Sequence, residues 1–423
     1  MTERAESKQE MEIPCLVIGA GIVGLCTAIS LQERGIPVTL IDPEPPAEAA
    51  SYGNAGVLST WSCVPQSMPG VWKSVPKWLL DPDGPAKIRW THLPSLLPWI
   101  IAFLRAGRIE RIPAIADAML ALNQPTIELY RRHLQGTGKE HLVRDSNYVF
   151  VYRDPAKANL DALEWRIRDE RGTPLERIEN GALRDLEPDI SEDYRAAILV
   201  KGQGRATDPG AIGKALAEKI TRQGGQFLRG KVRRLIPQDN GCFHVEADNR
   251  SLAAAKVVLA AGPWSATLLK PLGFRLPLEA ERGYHMIFAD PDVALNNSVM
   301  VTDSKFVASS MDMGLRCAGT AEFAKLDAPP DYRRAEVFKR QAKRLLPKLN
   351  TETTDVWMGQ RPSFPDSLPA LGPLPGLENL TMAFGHGHLG MTAAPMTGRI
   401  AAALVAGEPP NLDLTPYSLE RFQ

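Results

Sequence analysis

The stretch CLVIGAGIVGLCTAISLQERGIPVTLID, residues 15–42, holds three elements in a fixed order. Cys15–Ile18 is a continuous apolar run, the pattern of a strand buried on both faces. Gly19, Gly21 and Gly24 then fall at GxGxxG spacing, Ile22 to Arg34 has helical periodicity, and Gly35 closes the helix. VTLID is a second short strand with Asp42 at its end. Gly19 allows a tight turn, Gly21 lets the backbone approach a pyrophosphate, and Gly24 lets the helix pack closely on the strand. The helix start, with Ala20, Ile22 and Val23 among the expected cofactor contacts, presents free N–H groups and a positive dipole to phosphates. Asp42 can accept hydrogen bonds from ribose hydroxyls. A bare glycine pattern often only turns the chain. Here strand, helix, second strand and terminal acid are in register, which predicts a dinucleotide site. An acid at 42 disfavours the 2′-phosphate of NADP, while FAD and NAD both remain.

The organisation of the chain separates those two. AKVVLAAGPWSATLL (255–269) is a buried strand followed by small Ala261 and Gly262 and then Trp264. Small residues after a strand let the chain pass close to a ligand. Before it, Pro209–Gln223 reads as an amphipathic helix leading to a strand around Val232. Near the C-terminus LTMAF is followed by GHGHLGMT (385–392) and a small-residue helix. An NAD domain is usually contiguous. Strand–glycine turns arriving at the start, middle and end of the chain fit an FAD domain interrupted by a substrate domain.

These residues resemble the D-amino-acid oxidase/glycine-oxidase superfamily of FAD enzymes, and look closest to its bacterial D-amino-acid dehydrogenase branch. The resemblance is carried by VIGAGIVGLCTAISLQERG, ASYGNAGVLS (50–59), PKWLLDPDGP (76–85), TDPGAIGKAL (207–216) and VVLAAGPWS (257–265). It continues through ERGYH (281–285), GLRCAGTAEF (314–323), WMGQRPSFPDSLPALGP (357–373), GHGHLGMTAAPMTG (385–398) and PYSLERF (416–422). It implies an α/β fold, a Rossmann-like FAD-binding domain over 13–90, 200–275 and 355–423. Interleaved with it is a substrate domain on a mixed β-sheet over 91–199 and 276–354. By that resemblance Ser51, Asn54, Ala55, Gly56 and Val57 line the flavin side, and Val232 faces the adenine with its backbone. Gly385, Gly387, His388, Leu389, Gly390, Met391 and Thr392 approach the flavin ring, where backbone N–H groups and a helix dipole would stabilise negative charge. The acid that holds the ribose is often Glu in the superfamily; Asp42 is shorter and does the same work.

The resemblance also implies the chemistry: oxidation of a D-amino acid or a cyclic imino acid such as D-proline or hydroxy-D-proline, with electrons passed to a quinone or other carrier. An oxidase of the glycine or sarcosine type, using O2, is the rival within the class. A flavin-binding subunit of a hetero-oligomeric dehydrogenase is the rival outside it. Positioning a substrate for hydride loss calls for a carboxylate anchor, and a guanidinium fork binds both oxygens. Arg361, in GQRP, matches the family's carboxylate-binding arginine. Tyr284, in ERGYH, is expected to bond the carboxylate or cap the pocket, with a core tyrosine as the plainer alternative. Arg282 shares its strand face and His285 takes the opposite one. His388 is the third catalytic candidate. His386 and His388 stand one residue apart, but their neighbourhood offers no acid or cysteine as a third ligand, so no metal is expected. Cys317 lies within a strand-like run, and FAD is expected to be non-covalent.

Composition excludes other classes. Lys plus Arg and Asp plus Glu are equal at 49 each, so no net field recruits nucleic acid. The five cysteines are scattered without a CxxC pair, which suits a reducing compartment and a cytoplasmic location. MTERAESKQEME is charged and lacks an apolar core, so it reads as a leader rather than a signal peptide. No window is expected to match the ~20 apolar residues of a membrane span. LPSLLPWIIAFL (93–104) reads first as a helix packed on its own protein. A peripheral contact of 65–104 with the inner face of the cytoplasmic membrane is the alternative, supported by Trp72, Trp78, Trp90 and Trp99 among basic residues.

Overall fold

The computed structural model describes residues 13–81, 83–248 and 250–422, so the charged leader expected at 1–12 lies outside the described residues. The apolar run at the start forms the strand Ile13–Ile18, the centre of the first sheet. Its neighbours come from far apart in sequence. Arg250–Leu259 lies parallel on one side, with Ile18 opposite Leu259, and Thr39–Asp42 lies parallel on the other. Leu377–Phe384 extends the sheet beside Arg250–Leu259, and Gln226–Arg229 extends it beside Thr39–Asp42. Strands from the start, middle and end of the chain therefore meet, as the interrupted organisation predicts.

The expected helix after the glycines runs from Ile22 to Gln32, with Gly35 in the left-handed region at φ 71°. It packs against Gly390–Ala406, and the approach is close. A Cβ on Gly398 would stand 2.5 Å from the Cys26 carbonyl carbon. The segment Gly387–Ala406 corrects one expectation: 20 residues at a mean hydropathy of 1.3 make it long and apolar enough to cross a membrane. It is 67% buried and serves as the central helix of the first core cluster, where alanines rather than leucines permit close helix packing.

The second sheet runs from Thr354–Ser363 through Glu279–Phe288, Gly314–Phe323, Phe306–Met311, Ser298–Val301 and Val143–Tyr152 to Ala196–Ala206. It is mixed, with Ser298–Val301 parallel to Val143–Tyr152 and antiparallel to Phe306–Met311. Directly paired residues share a face. On one face lie Tyr284 and Gly319 and, two residues along, the row Met286, Cys317, Ala308, Val299 and Val149. These side chains fill a core closed by Phe338, Ala342 and Leu345 of the helix Arg333–Leu345. The opposite row is Trp357, His285, Ala318, Val307, Met300 and Phe150, and it faces the first sheet's side of the molecule.

The domain boundaries shift from those expected. Val57–Leu58, Ala86–Ile88 and Thr354–Ser363 fall within the expected nucleotide segments yet pair in the second sheet. The helices Ile112–Asn123 and Thr126–Leu134, expected in the substrate domain, give Met119, Leu122, Tyr130 and Leu134 to the first core cluster. The chain crosses between the two sheets along connections that carry Pro or Gly, at 43–56, 260–278 and 364–369. LPSLLPWIIAFL does form a helix, Leu93–Ala106, but only part of it packs. Leu96 and Trp99 are buried, whereas Leu97, Ile101 and Leu104 are exposed.

Candidate active site

A cavity of about 1270 Å³ takes its walls from both sheets. That exceeds the ~300–1,000 Å³ of a usual small-molecule pocket, leaving room for a dinucleotide and a smaller second molecule.

On the first sheet's side the wall is mostly backbone. Gly19 turns at φ 108°, and a Cβ there would stand 2.4 Å from the Ala260 carbonyl oxygen. Gly24 faces the Gly19 carbonyl oxygen, 2.0 Å from where its Cβ would lie, so it fits helix to strand as expected. Gly21 caps the helix without a side-chain bond, and the atom nearest to its would-be Cβ is the Ser51 hydroxyl oxygen at 3.5 Å, leaving the backbone open to the cavity. Asp42 Oδ2 accepts from the Ala20 N–H at 2.7 Å and Oδ1 from the Glu44 N–H at 2.8 Å. Burial pushes its carboxyl up against those two donors. About two of four lone-pair positions remain for ribose hydroxyls. Ser51 Oγ accepts from the Ile22 N–H at 2.9 Å and ties the following loop to the helix start. A positive-φ turn, a bare glycine at the helix cap and an acid with spare acceptors fit a dinucleotide. Val232, Ala261, Gly262 and the partly exposed Trp264 line the same cavity. Ala20, Gly24 and Gly56 stand behind the wall rather than on it; Gly56 turns at φ 76° against the Ala206 carbonyl.

The loop 51–57 is held by the second sheet, through His285 and through Arg316 and Trp357, which motif reading did not single out. Arg316 Nη1 donates to the carbonyls of Tyr52 at 2.9 Å and Asn54 at 2.8 Å. His285 lies 3.2 Å through Nδ1 from the Gly53 carbonyl and stacks on Trp357 at 5.3 Å. Burial and the Arg316 charge push the His285 pKa down to about 3, so the ring is neutral and donates through Nδ1.

In GHGHLGMT the structure gives a strand end, a turn through Gly385 (φ 90°) and Gly387 (φ 53°), and the helix Gly390–Ala406. The two histidines part. His386 is buried, its Nε2 lies 2.9 Å from the Thr397 hydroxyl, and burial pushes its pKa down to about 3. His388 reaches the cavity wall, with Nε2 2.6 Å from Glu281 Oε1 and Gln66 on Nδ1. No cluster of three metal-ligating residues occurs among the described residues. Thr392 ties the helix start to the flavin-side loop, donating to the Val57 carbonyl at 3.3 Å.

Arg361 also lies on the wall, its guanidinium folded over Gly283, where any Cβ would strike it. Nη1 donates to Glu281 Oε1 and to the Thr320 carbonyl, each at 2.9 Å, while Nη2 has only a long contact of 3.5 Å to the Gly319 carbonyl. The Tyr284 expectation needs correction. The residue borders the cavity, but its hydroxyl donates to Glu322 Oε2 at 2.5 Å and accepts from the Asp331 N–H at 2.9 Å. Strand alternation turns its ring into the core beside Met286, and Arg282 follows it, donating to the Lys325, Ala328 and Pro329 carbonyls. The strand face of ERGYH turned toward the cavity is Glu281, Gly283 and His285, and Glu281 and Gly283 line it while His285 is covered by the 51–57 loop. Period two offered both phases, and only the packing of the sheet chooses between them. Cys317 is buried in the opposite core.

The FAD dependent oxidoreductase family matches residues 15–404. A D-amino-acid oxidase of Bradyrhizobium diazoefficiens is 38% identical over 414 residues, covering 96% of this chain and 98% of the relative. Among solved structures, glycine oxidase from Geobacillus kaustophilus superposes with a TM-score of 0.73 at 21% identity, covering 96% of this chain and 97% of the other. L-proline dehydrogenase from P. horikoshii does so with a TM-score of 0.74 at 19% identity and 98% coverage of both. With the glycine turn, the acid and a cavity sized for a dinucleotide, these matches make the chain a member of the FAD dependent oxidoreductase family.

Proposed function

We propose that this chain oxidises the Cα–N bond of a D-amino acid or a cyclic imino acid, such as D-proline or hydroxy-D-proline, and passes the electrons to a quinone or other carrier. Bound FAD supplies the redox chemistry by accepting a hydride at N5. The glycine turn at 19–24 and Asp42 would hold its phosphates and ribose, and the 51–57 loop and 385–392 turn would hold its ring end. The observation that carries the substrate reading is Arg361. It is a guanidinium on the cavity wall whose Nη2 has only a long protein contact, so it keeps donors for a substrate carboxylate. The 38% identical relative named as a D-amino-acid oxidase supports the D-amino-acid class. The protein's contribution is then to fix the carboxylate and so the face that presents hydrogen.

An anaerobic screen of D- and L-amino acids and proline derivatives, following loss of visible flavin absorbance, tests the substrate reading. Bleaching by L-isomers alone would overturn it. Rapid reoxidation of the reduced flavin in air would instead favour a glycine- or sarcosine-type oxidase. A chain inactive with an artificial dye unless a partner is added would favour the flavin-binding subunit.

The surface around 65–104 supports a cytoplasmic enzyme bound peripherally to the inner membrane face. Trp72, Leu79, Leu80, Trp90, Leu97 and Ile101 stand exposed, Leu80 at 84% and Trp90 at 81%. Four basic residues against two acidic ones share the segment, which suits an anionic lipid surface. Sedimentation with anionic vesicles should retain the protein, and Leu80→Asp with Trp90→Asp should release it. Equal retention of that double variant would discard the contact.

A further inference from the structure

The second sheet's corner of the cavity is built on a buried carboxylate. Glu281 is 2% exposed in the strand Glu279–Phe288. Oε1 accepts from Arg361 Nη1 at 2.9 Å and lies 2.6 Å from His388 Nε2; Oε2 accepts from the Ser363 hydroxyl at 3.1 Å. Burial alone would raise its pKa, but His388 and Arg361 outweigh that and hold it down at about 2. An ionised carboxylate this deep is costly unless paired. Arg361 alone would neutralise it, yet the same oxygen also meets an imidazole.

That imidazole is placed to act rather than merely to pair. The side chain of His388 is 40% exposed, unlike that of His386, and lies on the cavity wall. One ring nitrogen is fixed on a carboxylate, while the other meets only Gln66, a neutral amide on the same wall. The charged groups in contact with the pair are thus Arg361 and each other, with Gln66 and Ser363 neutral. A base whose far nitrogen is oriented by a buried carboxylate is the arrangement that prepares an imidazole to receive a proton.

An amino acid at neutral pH carries an ammonium, and its nitrogen must hold a lone pair before the Cα–H can leave as hydride. We propose that His388, positioned by Glu281, takes that proton, an inference that rests on the amino-acid reading above. The ammonium replaces the Gln66 amide at Nδ1. One of its N–H bonds breaks with the electron pair staying on the substrate nitrogen, and a new N–H bond forms at His388 Nδ1. Nε2–H remains on the Glu281 carboxylate. The charge of the site is unchanged, since one cation is exchanged for another that lies against Glu281. The proton passes to water when product leaves. His388 is the catalytic residue and Glu281 the positioning residue.

The test is the pH profile of kcat/KM with the amino acid that bleaches the flavin fastest, at equal flavin content. His388→Gln should lose at least tenfold at pH 7 and recover about tenfold per pH unit until the substrate amine itself titrates. Glu281→Gln should move the acid limb to lower pH, because the imidazolium loses its carboxylate. Independently of turnover, 2-aminoisobutyrate, which has no Cα–H, should shift a histidine signal in 15N NMR to the imidazolium pattern in the wild type and not in His388→Gln. A His388→Gln profile parallel to the wild type, or no such shift, overturns the proposal while amino-acid bleaching stands. If no amino acid bleaches the wild-type flavin, the substrate reading itself falls and takes this role with it.

Discussion

Two of the passages from a strand through glycines into a helix on the cavity wall, at 19–24 and at 385–390, are built differently. In the first, the polar work is done by backbone N–H groups with Asp42 and Ser51, residues no more than 29 positions away. In the second, the turn carries two histidines whose partners decide their roles. His386 turns inward to Thr397 on the helix it precedes, and His388 turns outward to Glu281, 107 positions away. A backbone site can be specified by a short sequence. A side-chain site is specified by where distant strands place their faces.

Breaking the first turn should have the largest effect. A side chain at 24 meets the Gly19 carbonyl, which cannot move without losing the turn. Gly24→Val should purify without flavin, seen as loss of visible absorbance relative to 280 nm, and overpacking should cost about 1–3 kcal/mol or more. The matching change in the second turn is mild, because a Cβ on Gly390 meets only the His386 Cβ at 3.7 Å. Gly390→Ala should keep its flavin. If both variants lost flavin equally, the two turns would not differ as argued.

Arg361 tests the side-chain site. Arg361→Ala removes the charge-assisted anchor, and kcat/KM should fall by about 2–3 kcal/mol, roughly 30- to 150-fold, with the flavin spectrum retained. A loss within about threefold would show that the carboxylate binds elsewhere.

The first sheet was legible because its requirements are local: an apolar run, glycine spacing and an acid at a strand end are all contiguous in sequence. Arg361 was legible only through motif resemblance. Glu281 was not, although it lies three residues from Tyr284. Alternation places the two on opposite faces, but which face meets the cavity depends on the helix Arg333–Leu345 covering the other. Arg316 and Trp357 escaped for the same reason, since they act on the backbone of residues 52–54, more than 250 positions away. Gln66, on the loop before the exposed segment, carries no signal until His388 is placed beside it.

The smallest expected effect separates the two histidines by stability. His386 and His285 have folded pKa values of about 3, below the ~6.5 of an unfolded histidine. The unfolded chain therefore binds more protons between those values, and stability rises with pH there. The contribution is fully present above about pH 6.5 and is lost as pH falls toward 3, by at most about 1.4 kcal/mol per pH unit for each ring. Glu281, at about 2 against 4.5, acts in the same direction but only below about pH 4.5. His386→Gln removes one titrating ring from a site that demands a neutral group, and an amide can still meet the Thr397 hydroxyl. The drop in melting temperature between pH 7 and pH 5 should be smaller in that variant than in the wild type. A drop as large in His386→Gln as in the wild type would mean that acid sensitivity resides in other groups, and the division between the two histidines would have to be redrawn.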